Sequence, residues 1–168
     1  MKKLAFTALS AFSFAALAVA PAMAGTVTES LDVTASVDPN CIFTTPGTVT
    51  LSFGSYDPVV TNKTGNLDQS TTFGVTCTNG ASVQIGLSGA NASREMASTA
   101  TPANKLNYQL YRNAARDQEW GTIASGNVLG ITGTGLDQTQ TVYGRIPGGQ
   151  NPVVANDYTA TETITVSF

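Results

Sequence analysis

The chain has 168 residues and no histidine, and its 8 Lys and Arg against 11 Asp and Glu give a formal net charge of −3 at pH 7. Without histidine, this sequence cannot form a Ser-His-Asp triad, an imidazole base or a zinc site with histidine ligands. A net negative surface would be repelled by nucleic acid and by anionic lipid headgroups. Composition therefore disfavours the common hydrolase mechanisms and nucleic-acid binding.

The first 24 residues have the pattern of a secretory signal peptide. Two lysines precede a mostly apolar run from Leu4 to Val19, and an A-x-A cleavage motif ends at Ala24. The apolar run of about 16 residues is shorter than the roughly 20 that a spanning helix needs. We expect cleavage after Ala24, which leaves residues 25–168 as an exported protein with a net charge of about −5.

A strand pattern begins at the predicted mature N-terminus. In residues 26–37, TVTESLDVTASV, apolar residues occupy one parity and polar residues the other, with Glu29 as the exception. Asp38 and Pro39 favour a turn that ends this strand before Cys41. A free amphipathic strand is typical of a protein that completes the sheet of a neighbour. The apolar residues, all at odd-numbered positions, are Val27, Leu31, Val33, Ala35 and Val37.

Cys41 and Cys77 are the two cysteines of the chain. In an oxidising compartment an even pair predicts one intramolecular bond, with two free buried thiols as the alternative. Closing this loop is expected to stabilise the fold by roughly 4 kcal/mol in the chain-entropy account. A catalytic cysteine is disfavoured because the chain has no histidine to activate it.

Short strand patterns separated by turn residues recur after Cys41. Alternating apolar residues predict strands in residues 48–53, 71–77 and 82–88. The Asn79-Gly80 pair between the last two predicts a type I′ hairpin, because that turn needs positive φ at both central positions. Residues 88–104 predict a long loop with a short helical turn around 94–98.

The C-terminal half continues the alternation. Strands are predicted in residues 106–111, 126–135 and 139–150, and in 157–168, where an acidic residue interrupts the apolar parity. Trp120, in a helical turn or wide connection after the first of these, is predicted to anchor the core or a loop. Seven or eight short strands beside the N-terminal one, with no convincing long helix, predict an all-β, immunoglobulin-like antiparallel β-sandwich.

A set of segments then occurs in the order that characterises one family: the signal peptide, Cys41, FGSY at 53–56, FGVTC at 73–77, LNYQLYRNAARDQEWG at 106–121, VYGRIP at 142–147 and TITVSF at 163–168. This ordered set resembles the spore coat protein U domain, the fold of the Csu-type subunits of archaic chaperone-usher pili. The resemblance implies an incomplete sandwich that lacks its last strand and is completed by donor-strand exchange. It divides the chain into a signal peptide (1–24), a donor-strand extension (25–37) and a pilin domain (38–168).

The resemblance also implies partners and residue roles. A periplasmic chaperone would fill the open groove until, at the outer-membrane usher, the N-terminal strand of an identical or homologous subunit replaces it. Such a subunit would form a fimbrium on the surface of a Gram-negative bacterium and support attachment and biofilm formation. The donor-strand residues would be Val27, Leu31, Val33 and Ala35. The acceptor groove, which also binds the chaperone, would be lined or bordered by Tyr158, Ile164, Val166 and Phe168.

Other functions stay open from the sequence alone. A non-polymerising secreted coat protein would share the fold, and the loops of a β-sandwich can carry a carbohydrate-binding or adhesive site. The acidic residues on the predicted loops could include a pair of carboxylates that cleaves glycosides. The simpler interpretation is that they are ordinary charged residues exposed to solvent. The sequence predicts a non-enzymatic protein without a cofactor or metal.

Overall fold

The computed structural model describes residues 25–89, 94–155 and 157–168. The chain separates into two compact units, Met1–Ala35 and Ser36–Phe168. In the first unit, residues 25–35 are exposed and have no regular secondary structure. The predicted signal peptide lies outside the described residues, and the predicted division of the chain stays a prediction. In the part of the chain that is described, no helix is long and apolar enough to cross a membrane.

The second unit is an antiparallel, immunoglobulin-like β-sandwich, as the alternating sequence predicts. Its sheets have the strand orders β1-β2-β8-β6, β10-β3-β7 and β5-β4-β9, and all of their pairings are antiparallel. The described strands are β1 (Cys41–Phe43), β2 (Leu67–Cys77), β3 (Ser82–Gly89), β4 (Glu95–Ser98), β5 (Lys105–Asn107), β6 (Gln109–Tyr111), β7 (Leu129–Thr132), β8 (Asp137–Ile146), β9 (Tyr158–Thr159) and β10 (Glu162–Ser167).

The core joins the inward faces of β2, β8 and β3 in one hydrophobic cluster. The predicted disulfide is present between Cys41 of β1 and Cys77 of β2, which are direct partners across the ladder. Trp120 is fully buried against Phe73, and its Nε1 donates to the carbonyl oxygen of Ile85 at 2.7 Å. This hydrogen bond satisfies the indole N–H inside the core and confirms Trp120 as an anchor.

The prediction of a hairpin at Asn79-Gly80 is wrong. β2 pairs with β1 and β8, whereas β3 pairs with β10 and β7, so the turn carries the chain from one sheet to another. Gly80 has a φ of +83°, but Asn79 is not among the described residues with positive φ, which excludes a type I′ turn. The crossing lets both strands bury their apolar sides in the same core, and this burial outweighs the local pairing that the turn alone would favour.

Other local predictions also change. Residues 95–98 form strand β4, not a helical turn, because β4 pairs with the nearby β5 and with β9, which lies far from it in sequence. Residues 112–121 make a wide connection in which the only described bridge joins Tyr111 to Glu119. The predicted strand at 157–168 is divided into β9 and β10, which join different sheets. Non-local pairing overrides local propensity in these places.

Candidate functional site

Residues 48–53 form an extended segment with the burial pattern of a strand but without a partner strand. Val49, Leu51 and Phe53 are half-buried, while the residues between them are exposed. In the described part of the chain, no backbone hydrogen bond joins this segment to another one. The sequence predicted a strand here, and the segment has the alternation of a strand edge that lacks a neighbour.

Three glycines hold this segment in place. Gly47 and Gly54 lie at its two ends, each with a φ of +77°, a conformation that L side chains rarely adopt. Gly144 of β8 lies beneath it, where an added Cβ would stand 2.6 Å from Leu51 Cδ2 and 2.6 Å from Phe53 Cζ. The segment can therefore pack closely against the first sheet without entering its hydrogen-bond ladder.

Strand β10 supplies a second unpaired edge. On one side it pairs with β3 over its whole length, from Glu162 opposite Gly89 to Ser167 opposite Gln84. On its other side, no strand of the described chain is hydrogen-bonded to it. Its side chains alternate between half-buried and exposed. Burial of one face together with a free edge makes β10 able to accept another strand.

An apolar groove lies between the unpaired segment and β10. Its cavity has a volume of about 330 Å³ and extends from residues 48–53 to residues 158–164. A second cavity of about 700 Å³ shares Leu51, Phe53 and Tyr158 with the first and continues toward Pro152 and Val153. The side chains on the floor of the first cavity come from several elements: Thr71, Leu87, Met96, Tyr108, Leu110 and Val142.

A buried polar cluster interrupts this apolar surface. Glu162, the acidic exception in the C-terminal pattern, points inward, and its Oε1 lies 3.3 Å from Arg94 Nη1. Arg94 has a φ of +47° and also donates from Nη2 to the carbonyl oxygens of Leu87 and Trp120. The hydroxyl of Tyr108 donates to Glu162 Oε1 at 2.6 Å. Burial, together with this hydrogen bond, raises the pKa of Tyr108 well above its usual range.

Hydrogen bonds to Asp157 connect the beginning of β9 to the end of β4 and the loop after it. Its carboxylate accepts hydrogen bonds from the side chains of Thr99 and Ser98 and from the backbone N–H of Ala100. The Thr99 hydroxyl, followed by the Ala100 N–H, lowers the pKa of this carboxyl from 3.8 to about 2. The contact stabilises the chain where it enters the wall of the apolar groove at Tyr158.

Replacing Asp157 by alanine is expected to lower the thermal unfolding midpoint at pH 7 and to leave it unchanged below about pH 2. A carboxyl whose folded pKa is depressed stabilises the fold above its unfolded pKa of 3.8, and that contribution disappears as the pH falls through about 2. Unfolding midpoints of the purified chain between pH 7 and pH 2 measure the difference. Asp117→Ala removes a carboxylate that bonds to Asn113 within its own turn, and so controls for net charge.

The predicted acceptor residues do not all occupy the same place. Tyr158 and Ile164 line the apolar groove. Val166 is half-buried and packs against the hydrophobic core, while Phe168 is about half exposed at the end of the chain. The predicted donor residues Val27, Leu31, Val33 and Ala35 are all exposed, the first three almost completely. Their roles as donor and acceptor stay predictions.

Two parts of the site are not predicted by the sequence. They are the wall of the groove formed by residues 48–53, and the polar cluster of Arg94, Glu162 and Tyr108. The sequence predicts only a strand for Val49, Leu51 and Phe53, yet they line the groove opposite β10. Arg94 had no recognisable motif around it. The signal that could have revealed it was Glu162, because an acidic residue on a buried face requires a partner of opposite charge.

The sandwich and its two unpaired edges define an immunoglobulin-like domain that can take an added strand. A family model described as the Spore Coat Protein U domain matches residues 27–166, so the chain belongs to this family. The chain is 37% identical over 177 residues to Protein U of Myxococcus xanthus, with 96% of this chain and 97% of that protein covered. These matches confirm the family resemblance found in the sequence.

A solved structure shows the same fold. It is the CsuC-CsuE chaperone-tip adhesion subunit pre-assembly complex from the archaic chaperone-usher Csu pili of Acinetobacter baumannii. The match has a TM-score of 0.52 and 21% sequence identity, and it covers 79% of this chain. It covers 41% of the matched chain, so this protein spans less than half the length of that neighbour.

Proposed function

We propose that this protein is a structural, non-enzymatic subunit of an extracellular pilus, assembled with a periplasmic chaperone and an outer-membrane usher. The N-terminal strand of one subunit, residues 26–37, enters the apolar groove of the next. The observation that carries the proposal is the groove itself, which has the unpaired edge of β10 on one side, the unpaired segment 48–53 on the other and a largely apolar floor. The chaperone occupies the same groove before assembly. Exported fibres of this kind would support surface attachment and biofilm formation by a Gram-negative bacterium.

The groove favours a strand as its ligand, and not a compact small molecule. Each unpaired edge carries backbone N–H and C=O groups that an added strand satisfies along its whole length. The inserted strand would also bury several apolar side chains, each contributing roughly 1.5 to 3 kcal/mol. Residues 26–37 present apolar side chains at every second position apart from Glu29, which matches the two-residue repeat of a strand lying in such a groove.

An SDS gel of unheated and heated fibres tests this function. The full chain, produced with its chaperone and usher, is expected to give a ladder of oligomers that collapses on boiling. A variant lacking residues 26–37 is expected to give no ladder, while the chaperone still recovers it as a folded complex. Monomers from the full chain, or an undiminished ladder from the truncated chain, would refute the proposal.

A non-polymerising coat protein is the second candidate. It is favoured by the similarity to Protein U, which extends over nearly the whole length of both chains, and by the description of the family. This function predicts a monomeric sandwich whose groove is occupied by its own N-terminal strand. The same gel distinguishes the two candidates, because only strand exchange between copies produces the ladder.

A further inference from the structure

Four exposed valines form an apolar surface beside the second cavity. They belong to two copies of one tripeptide, Pro-Val-Val, at residues 58–60 and 152–154. Pro58 lines the second cavity together with Pro152, so the two turns border the same opening. None of the four valines is part of the described hydrophobic core, and each is at least half exposed to solvent. This valine surface consists of Val59, Val60, Val153 and Val154.

The turns that carry the valine surface are held in place by polar groups. The carboxylate of Asp57 accepts hydrogen bonds from the backbone N–H groups of Val59 and Val60, at 3.0 and 3.1 Å. The hydroxyl of Tyr56 donates to the carbonyl oxygen of Pro147 at 3.0 Å, which connects the first turn to the loop that carries the second. Apolar side chains that a fixed turn presents to solvent indicate a surface that meets another protein.

The valine surface lies at one end of the sandwich, and the predicted donor strand leaves from the other. Leu67 pairs with Ile146 where β2 begins and β8 ends. The first turn comes shortly before β2 and the second shortly after β8, so this is the valine end. Cys77 meets Cys41 where β2 ends, and residues 36–40 lead into β1 at this opposite, disulfide end.

Strand β10 sets the direction of an inserted strand. β3 starts at the disulfide end, just after Cys77, and β10 runs antiparallel to it, from the valine end to the disulfide end. All described strand pairs of the sandwich are antiparallel, the geometry that is slightly more stable per residue. A strand that pairs antiparallel with the free edge of β10 therefore runs toward the valine end, and its last residue, Val37, leaves the groove there.

A short linker then brings two subunits together. Residues 38–40 are all that separate Val37, in the groove of the accepting subunit, from Cys41 in the sandwich of the donor subunit. The Cα atoms of Val37 and Cys41 are at most about 15 Å apart, even in a fully extended chain. The Asn40 N–H donates to the Thr78 hydroxyl at 3.0 Å, and the Thr78 N–H donates to the Asn40 carbonyl oxygen at 2.9 Å. These bonds hold the linker against the donor, so the disulfide end of the donor lies close to the valine end of its neighbour.

We infer that the disulfide end of the donor subunit packs against the valine surface of the subunit that accepts its strand, as a second contact between copies of this chain; this inference rests on the proposed function. The disulfide end exposes apolar side chains of its own, Ile42 in β1 and Leu136 directly before β8. Ile42 adjoins Cys41 in the chain. The turn that carries Leu136 is bound to Cys77, because the Gly135 N–H donates to the Cys77 carbonyl oxygen at 2.9 Å. Contact between the two apolar surfaces removes both from water and restricts the angle between neighbouring subunits.

The test compares subunit release from purified fibres of the full chain in a fixed urea concentration. Val60→Ser with Val154→Asp makes the valine surface polar and removes no side chain from the core. We expect this double variant to release subunits at least about tenfold faster than wild type, because burial of a single valine is worth about that factor. Leu136→Asp, on the other side of the contact, is expected to have a similar effect. The matched control is Thr72→Asp, an exposed position midway along β2, which is expected to release subunits at the wild-type rate.

A longer linker separates this contact from strand insertion. About four Gly and Ser residues inserted between Val37 and Asp38 add roughly 13 Å and leave the hydrogen bonds between Asn40 and Thr78 in place. We expect the insertion alone to speed release at least about tenfold, because the two ends are no longer held together. In that background the double variant is expected to add less than about twofold, since its effect depends on the same contact.

Wild-type release from both the double variant and Leu136→Asp would overturn the contact, and so would equal acceleration by the double variant with either linker. All of these variants keep residues 26–37 and are expected to give the ladder that collapses on boiling. If the truncation removes the ladder but the polar substitutions leave release unchanged, the contact fails and the pilus function stands. If the full chain gives no ladder, the proposed function itself fails.

Discussion

Replacing Leu31 by aspartate is expected to abolish fibre formation while leaving the sandwich folded with its chaperone. Leu31 is 87% exposed and lies outside the core, so the substitution removes no contact within the hydrophobic cluster. In the fibre the same side chain would be buried, where leucine contributes roughly 1.5 to 3 kcal/mol and an unpaired carboxylate costs considerably more. The ladder of oligomers on an unheated SDS gel measures the effect.

Thr34→Asp is the matched control for this prediction. It introduces the same charge three residues away, but on the polar parity of the strand, which faces away from the groove. We expect its ladder to resemble that of the wild type, and we expect Val33→Asp to behave like Leu31→Asp. Full ladders from both Leu31→Asp and Val33→Asp would show that residues 26–37 do not insert as a strand with this face inward.

Replacing Arg94 by methionine is expected to destabilise the subunit by about 3 to 5 kcal/mol, the usual cost of removing one partner of a buried ion pair. The change would leave Glu162 charged in the groove and would remove the hydrogen bonds that Arg94 donates to the carbonyl oxygens of Leu87 and Trp120. Urea unfolding of the purified chain can be followed by the fluorescence of Trp120, the single tryptophan, which is fully buried.

Arg116→Met is the control for the Arg94 prediction. Like Arg94, Arg116 has positive φ, at +57°, and donates to two backbone carbonyl oxygens of other strands, those of Gly144 and Gln69. Its ion pair with Asp68, at 3.5 Å, differs because the side chain of Asp68 is 34% exposed. We expect this variant to lose clearly less stability than Arg94→Met, because an ion pair that water reaches is worth about 1 kcal/mol or less. Equal losses from the two variants would mean that the features the two arginines share, positive φ and hydrogen bonds to carbonyl oxygens, and not the buried ion pair, determine the importance of Arg94.

Much of the groove could be anticipated from the sequence. The alternation in residues 48–53 and 162–167 specified which side chains face inward, and the structure agrees in both places. An acidic residue on a buried face, such as Glu162, is a signal for a polar contact, but it could not identify Arg94, which lies 68 positions earlier in the chain. Which residues approach each other over such distances depends on the arrangement of the sheets, which local periodicity does not encode.

Residues 79–80 and 95–98 show the opposite case. The Asn-Gly pair predicted a hairpin because its local conformational preference suits one, yet the strands on either side belong to different sheets. Residues 95–98 lacked a strong strand pattern, and their pairing with β5 and β9 makes them a strand. In both places the free energy of burial and of non-local hydrogen bonds exceeds the small local preference.

The sequence by itself determined the all-β class, the membership of a family, the cysteine pair and the inward face of each long strand. These properties depend on residue type and on a two-residue repeat, which neighbouring positions are sufficient to define. Only the tertiary structure decided that residues 48–53 and β10 leave their facing edges unpaired, and that Arg94 and Glu162 form an ion pair. A strand pattern specifies which side chains are buried but not which edge receives a partner, because every backbone carries the same donors and acceptors.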